Sequence, residues 1–425
     1  MIRPRRAAVV GGLRVPFARA HGPYAHQSNQ DLLTATLDGL AARFGLAGER
    51  LGEVAGGAVL KHARDRDLTR ESVLGSVLSA TTPAYDVAQA CGTGLETVIH
   101  VANKIALGQV ESGIAAGVDS ASDAPIGLND DLRRVLLDVR AARDVRGRLG
   151  SLARLRPRQV VPDLPRNAEP RTGLSMGEHA ALTAREWGIG REEQDALALA
   201  SHRNLAAAYD RGFLDDLVMT HLGLARDQNL RPDTSMAALA RLRPAFGGPD
   251  GTTTAGNSTP LSDGASAVLL ASDEWATERG LPVLAHVVDA EVGAVDFASG
   301  SDGLLTAPVF AVPRLLDRLG LTLQDFDLFE IHEAFASVVL VTLAAWADPR
   351  FAAERLGRDA PLGAIDRARL NVAGSSLATG HPFAATGGRI VATLAALLHE
   401  RGGGRGLISI CAAGGQGVAM VLESP

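Results

Sequence analysis

Short apolar runs of strand character alternate with longer segments of helical periodicity along most of this chain, and glycine falls at the joins. That alternation constrains the fold more than any other feature, because strands separated by helices pack as layers around a largely buried sheet. Ala7 to Leu13 is a strand-like run. Ser28 and Asp31 then resemble a helix start, with Leu33, Leu37, Leu40 and Phe44 at helical spacing and Gly45 as the stop. Strand-like Val54–Leu60, a helical stretch after Thr69, strand-like Ala84–Ala88, a helix from Cys91 to Leu107 and strand-like Gly113–Val118 continue the series.

The pattern breaks in the middle. Residues 133–158 hold nine arginines, a proline-containing stretch follows, and helical periodicity runs from Glu178 to Asp210 without an obvious strand. The sheet signal resumes at Ala265–Ser272. The spacing predicts a mostly helical insertion over 122–254, set into a first α/β unit made of 1–121 and 255–274. A second α/β series over 275–425 carries strand-like Asp327–His332, a helix Glu333–Trp346, strand-like LNVAG, a helix after Gly380 and a final glycine-rich strand region. The two series share an outline, which hints at duplication.

Composition removes several classes of function. A net charge of -6 gives no global basic field for nucleic acid, and aromatics at 4% are too few for base-stacking platforms. Two cysteines rule out a disulfide framework and point to an intracellular, cytoplasmic protein. Basic residues before Ala7–Leu13 resemble a signal peptide, but Arg14 and Pro16 cut the apolar run short, and no transmembrane segment is expected.

Four stretches could carry chemistry. In QACGTG, Cys91 stands where a strand-like run gives way to a helix, and the helix dipole there is expected to lower its pKa. The same position also suits a small buried cysteine. In GHPFAATGGR, His381 lies in a Gly-Pro context between strand and helix; a lone histidine there can equally be a structural hydrogen-bonder. IHEAFA places His332 at a strand end, and Ala336 stands where a zinc-binding HExxH motif needs its second histidine, so no metal is expected. ICAAGGQG carries Cys411 and a glycine turn whose N–H groups suit an oxyanion hole, or a plain turn between two strands.

A decoy is present. Gly173-Leu-Ser175-Met-Gly177 matches a serine-hydrolase elbow, but no strand precedes it, as that mechanism requires. The arginine run suits a solvated face with i,i+4 pairs better than an anion-binding site.

Together these motifs resemble the thiolase superfamily over nearly the whole chain. QACGTG resembles its nucleophile segment, GHPFAATGGR its Gly-His-Pro motif, and CAAGGQG its C-terminal acid/base segment. Thr252–Ser266 is similar to its pantetheine loop, and LSMGEHA to its acyl-pocket segment. His332 stands where most members have Asn; with Ser-Thr-Pro-Leu after Asn257 and the long insertion, this is similar to the β-oxidation branch. Gly374-Ser375 and Ala413 depart from the more usual glycines; the resemblance implies that the Ala413 position acts through its backbone N–H, so alanine is expected to be tolerated there.

The resemblance implies a duplicated α/β/α layered sandwich and cleavage of 3-ketoacyl-CoA by CoA, with coenzyme A as substrate and no cofactor. It implies Cys91, His332, His381 and Cys411 as catalytic residues, with the N–H groups of Cys91 and Ala413 as an oxyanion site. Ser175, Met176, Ala255, Asn257, Thr259, Leu261 and Phe335 are implied in substrate and CoA contacts. A homodimer or homotetramer and an enoyl-CoA hydratase/3-hydroxyacyl-CoA dehydrogenase partner subunit follow on the same ground. Acetyl-CoA C-acetyltransferase is the runner-up. A decarboxylating condensing enzyme does not need the second thiol, and a non-catalytic acyl-CoA carrier does not need all four reactive residues.

Overall fold

The computed structural model describes residues 4–165 and 168–425; Arg166 and Asn167, in the proline-containing stretch, lie outside the described residues. The first series supplies strands β1 (Ala7–Arg14), β2 (Ala18–Arg19), β3 (Glu53–Gly56), β4 (Ala84–Asp86) and β5 (Ser112–Ser120). β6 (Pro244–Phe246) and β7 (Thr253–Thr254) pair as a small ribbon, and β8 (Ser262–Ser272) returns to the main sheet. The second series adds β9 (Ala285–Ala294), β10 (Leu328–Ile331), β11 (Gly404–Ala412) and β12 (Gln416–Ser424).

The main sheet runs β10-β11-β12-β9-β1-β8-β5-β3-β4, with β2 on β8. Reading outward from its centre, β1 pairs antiparallel with β8, β8 antiparallel with β5, and β5 parallel with β3. The other direction repeats this: β9 with β12 antiparallel, β12 with β11 antiparallel, β11 with β10 parallel. Two copies of one topology therefore meet at the short β1–β9 pairing. The sheet is mixed in direction.

Both faces of these strands are apolar, so successive side chains feed two different cores. Val268 and Leu270 join Ile408, Ile410, Val418 and Met420 in one cluster around the helices Thr93–Ala106 and Ala385–Glu400. Leu269 and Ile114 point the other way, against the Asn29–Phe44 helix. Leu407 and Val421 likewise face the Ala307–Leu319 helix. The two halves of the sheet thus lie on either side of the central helices, with further helices outside each, so the layers read helix, half-sheet, helix, half-sheet, helix. Ile390, Val391, Leu394 and Leu398 on the central helix are fully buried, each worth roughly 1.5–3 kcal/mol of transfer free energy.

Between residues 122 and 254 the structure has the helices Asp130–Ala141, Val145–Leu152, Met176–Glu186, Arg191–Asp210 and Met236–Ala240. The expected single periodic run Glu178–Asp210 is broken, because Gly188 takes a positive φ of 63° and Gly190 caps the second helix. In the arginine run, Arg133 and Arg134 pair with Asp130 and Arg154 with Asp138. LNVAG is not a strand: Asn371 adopts φ 48° and Leu370 makes only an isolated bridge to Phe329. Glu333 to Phe335 stay outside the helix, which begins at Ala336, because Phe335 bridges to Ser258 and Asn257 O accepts from Ala336 N.

Among the described residues no single helix is long and apolar enough to cross a membrane; one bent pair, Ala336–Ala347 with Pro349–Leu356, passes by length and composition. Most of the first of these helices is buried in the core that Leu407 and Val421 share with the Ala307–Leu319 helix.

Candidate active site

Cys91 stands between β4 and the helix Thr93–Ala106 on a tight turn. Ala90 takes φ 45°, an uncommon conformation for a residue with a Cβ, and it turns the chain so that Cys91 enters the interior. Thr93 holds the turn, its hydroxyl donating to Ala90 O and accepting from Gln89 N. His381 reaches the same point from the other half, on the loop before the helix Ala385–Glu400. The two helices approach backbone to backbone: a Cβ on Gly387 would lie 2.1 Å from Leu95 N, and one on Gly94 2.3 Å from Ala384 O. Glycine at both places is what brings Cys91 and His381 together.

Cys91 Sγ lies 3.1 Å from His381 Nε2, and His381 Nδ1 lies 2.6 Å from Thr386 Oγ1. The loop is anchored by Asp119 at the end of β5, which accepts from Ala384 N at 2.8 Å and from Val59 and Leu60 N–H groups. His332, one residue past β10, stacks obliquely on His381 with ring centroids 4.2 Å apart. Its Nδ1 lies 2.8 Å from Ser376 Oγ, and its buried Nε2 has no partner among the described residues. Cys411 lies near the end of β11, and the turn to β12 places the Ala413 N–H against Cys91. Gly414 N, the next donor of that turn, is already committed to Glu169 at 2.7 Å.

A cavity of about 80 Å³ collects Cys91, His381, Cys411 and Ala413 with Met176, Thr259, Leu261 and Phe335. Leu261 and Pro260 also line a wider groove of about 780 Å³, which holds Ala255, Arg19 and Arg231. Two of the sequence-predicted contact residues line neither. Ser175 caps the Met176–Glu186 helix, its hydroxyl exchanging hydrogen bonds with Glu178. Asn257 is buried, with Oδ1 accepting from Thr254 N and Nδ2 donating to Asp195, so it shapes the Thr252–Ser266 segment from within.

Burial governs the electrostatics. It pushes the Cys91 thiol up to about 12, only partly offset by the Ala413 N–H. The expectation that the helix dipole acidifies this thiol is therefore overturned, since desolvating a thiolate costs more than the helix end returns. Burial, with Arg389 nearby, pulls His381 down to about 3 and His332 well below its ordinary value. Cys411 is raised by burial and by the neighbouring Cys91. The resting dyad is a neutral thiol facing a neutral imidazole. Cys91 Sγ and one ring nitrogen of each histidine also lie within 4.8 Å of one another, a donor set that geometry alone would allow to a thiophilic divalent ion.

Sequence reasoning missed several residues that hold this arrangement: Asp119, Thr386, Ser376, Arg389 and the buried carboxylates Glu330 and Glu333. Glu333 accepts from Ser201, Asn371 and Leu377 N, locking the segment after His332. The available signal was a charged residue inside an otherwise apolar strand, as at Asp119 in GIAAGVDS and Glu330 in LFEIH.

Residues 7–274 match the family model described as thiolase, N-terminal domain, and residues 281–424 match thiolase, C-terminal domain. The 3-ketoacyl-CoA thiolases of Yersinia pestis (strain Pestoides F) and Yersinia pseudotuberculosis (serotype O:1b) are each 42% identical over 424 residues, covering 98% of this chain and 97% of theirs. Among solved structures, human mitochondrial 3-ketoacyl-CoA thiolase in complex with CoA superimposes with a TM-score of 0.82 at 28% identity, over 99% of this chain and 98% of that one. Bacillus anthracis acetyl-CoA acetyltransferase does so with a TM-score of 0.82 at 27% identity, over 100% of both chains. With both halves matched, a shared layered fold and relatives alike over their full length, this chain belongs to the thiolase family.

Proposed function

We propose that this protein is a 3-ketoacyl-CoA thiolase, an acetyl-CoA C-acyltransferase of fatty-acid β-oxidation that cleaves its substrate with CoA in two half-reactions. The observation that carries the reading is the 3.1 Å contact between Cys91 Sγ and His381 Nε2, in a cavity that also holds Cys411. A thiol held this far from ionisation needs its base in contact, and that is where His381 sits.

In the first half-reaction His381 Nε2 takes the thiol proton as Cys91 Sγ attacks the 3-keto carbon. The oxygen on that carbon is held by the N–H groups of Cys91 and Ala413. The bond between C2 and C3 breaks, leaving the acyl group on Cys91 and an acetyl-CoA enolate, whose oxygen lies beside His332 and His381. Cys411 protonates the enolate carbon and acetyl-CoA leaves. In the second half-reaction the Cys411 thiolate takes the proton of free CoA, whose sulfur attacks the acyl group. Cys91 departs and recovers its proton from His381, so the cycle closes. The wider groove, with Arg19 and Arg231 on its wall, suits the anionic end of coenzyme A, and Met176, Thr259 and Phe335 suit the acyl side.

The acetyl-specific reading is favoured by one finding, the equally close superposition on an acetyl-CoA acetyltransferase. Cleavage rates over a 3-ketoacyl-CoA series decide between the two. Rates that rise with chain length support the β-oxidation reading, activity confined to acetoacetyl-CoA supports the acetyl-specific one, and no cleavage at any length contradicts both. We further read the protein as a cytoplasmic homodimer or homotetramer that takes a hydratase/dehydrogenase partner subunit. Sedimentation velocity of the protein alone and mixed with such a subunit tests both statements.

A further inference from the structure

His332 has two ring nitrogens, and which one carries the proton decides whether it can donate a hydrogen bond towards the reacting atoms. The residues behind it fix the answer. Arg389 is buried, 2% exposed, on the second turn of the helix Ala385–Glu400. Its Nη2 donates to Ser376 Oγ at 2.9 Å and to Ser375 Oγ at 3.2 Å. Ser376 Oγ in turn lies 2.8 Å from His332 Nδ1. A guanidinium only donates and does not lose its proton in proteins, so Ser376 must accept from it. The Ser376 hydroxyl hydrogen then has one acceptor within reach among the described residues, the Nδ1 lone pair of His332.

From this we infer that Arg389 is a positioning residue that, through Ser376, holds His332 as the neutral tautomer with its proton on Nε2. The unpartnered Nε2–H is then a preset donor on a ring stacked against His381, available to an oxyanion of the substrate. A second proton, on Nδ1, would face a hydroxyl already turned towards it by a buried cation, so the imidazolium is disfavoured by contact geometry. The other charges around the relay do not compete for the hydroxyl. Glu330 Oε2 is 3.9 Å from Arg389 Nη1, on another branch of the guanidinium, and Glu333 is taken up by Ser201, Asn371 and Leu377 N.

The inference rests on the thiolase reading for what the donor does, but not for its existence, and two measurements keep these apart. The first is the ¹⁵N tautomer signature of His332 in the intact protein, assigned by its loss in His332→Asn. The Nε2–H form is expected in the native protein, with loss of that single form in Ser376→Ala and in Arg389→Met. The second is thiolysis kinetics. In Ser376→Ala and Arg389→Met, kcat is expected to fall roughly 10- to 100-fold with little change in KM, the usual scale for removing a group that orients a reacting residue. Arg389→Lys, which still only donates, is expected to recover most of the loss. If Arg389→Met does not fold, Ser376→Ala decides alone. An Nδ1–H tautomer in the native protein, or a Ser376→Ala protein with unchanged tautomer and unchanged kcat, overturns the inference. The expected tautomer in a protein without thiolase activity would leave the relay standing and overturn only the function it serves.

Discussion

At the scale of single residues, the proposed chemistry turns on two neutral groups in contact. With the Cys91 thiol pushed up to about 12 and His381 pulled down to about 3, neither is charged across the neutral range. Alkylation of Cys91 by iodoacetamide should therefore climb steadily across about pH 6–9, because only the scarce thiolate reacts. A flat rate over that window would reveal a preformed thiolate–imidazolium pair. His381→Asn keeps the size of the ring's polar edge but removes the base, and kcat should fall by roughly 10²- to 10⁴-fold. Asp119 offers a check on stability. Burial raises its carboxyl to about 7, above the unfolded value, so its contribution is full at low pH and is lost as pH rises through about 7. Thermal melts should show the native protein losing ground to Asp119→Asn between about pH 4 and 7, and parallel melting curves would contradict the assignment.

At the scale of elements, the crossing of the two central helices is the critical joint. Gly387→Ala places a methyl where Leu95 N and the Gly94 backbone already stand, so the helices must separate. A loss of about 1–3 kcal/mol in denaturant titration is expected, together with a loss of activity larger than the loss of folded protein, because the same shift lengthens the Cys91–His381 contact. The strands of this layer were readable in advance where they were continuously apolar, as in β1 and β8. β9 was not, because AHVVDAEVGA exposes several positions and lacks both a clean alternation and a continuous apolar run. LNVAG misled in the opposite sense. Its apolar residues suit a strand, but Asn371 spends its side chain on Ile331 N, Ile331 O and Glu333 and takes a left-handed turn to do so. Cys91, His381 and Cys411 were legible because each sits on a glycine-rich junction, and His332 because it follows directly on a strand-like run. Ser376 and Arg389 were not, since their role depends on contacts between segments far apart in the chain.

At the scale of the molecule, two copies of one topology are joined through β1–β9 and through one central core drawn from both. Neither half can bury its share of that core alone, so unfolding followed by tryptophan fluorescence and by far-ultraviolet circular dichroism should give one coincident transition. Two separated transitions would mean the halves are independent. By the same arrangement the proposed chemistry draws on the whole chain: Cys91 comes from one half, and His332, His381 and Cys411 from the other. In the proposed cycle it is Cys91 that carries the acyl group. Mass spectrometry of the protein mixed with a 3-ketoacyl-CoA, without free CoA, tests it most directly. The account predicts one adduct with the mass of the acyl chain shortened by two carbons, located on Cys91 and absent from Cys91→Ala. An adduct on Cys411 instead, or an adduct that survives in Cys91→Ala, would contradict it.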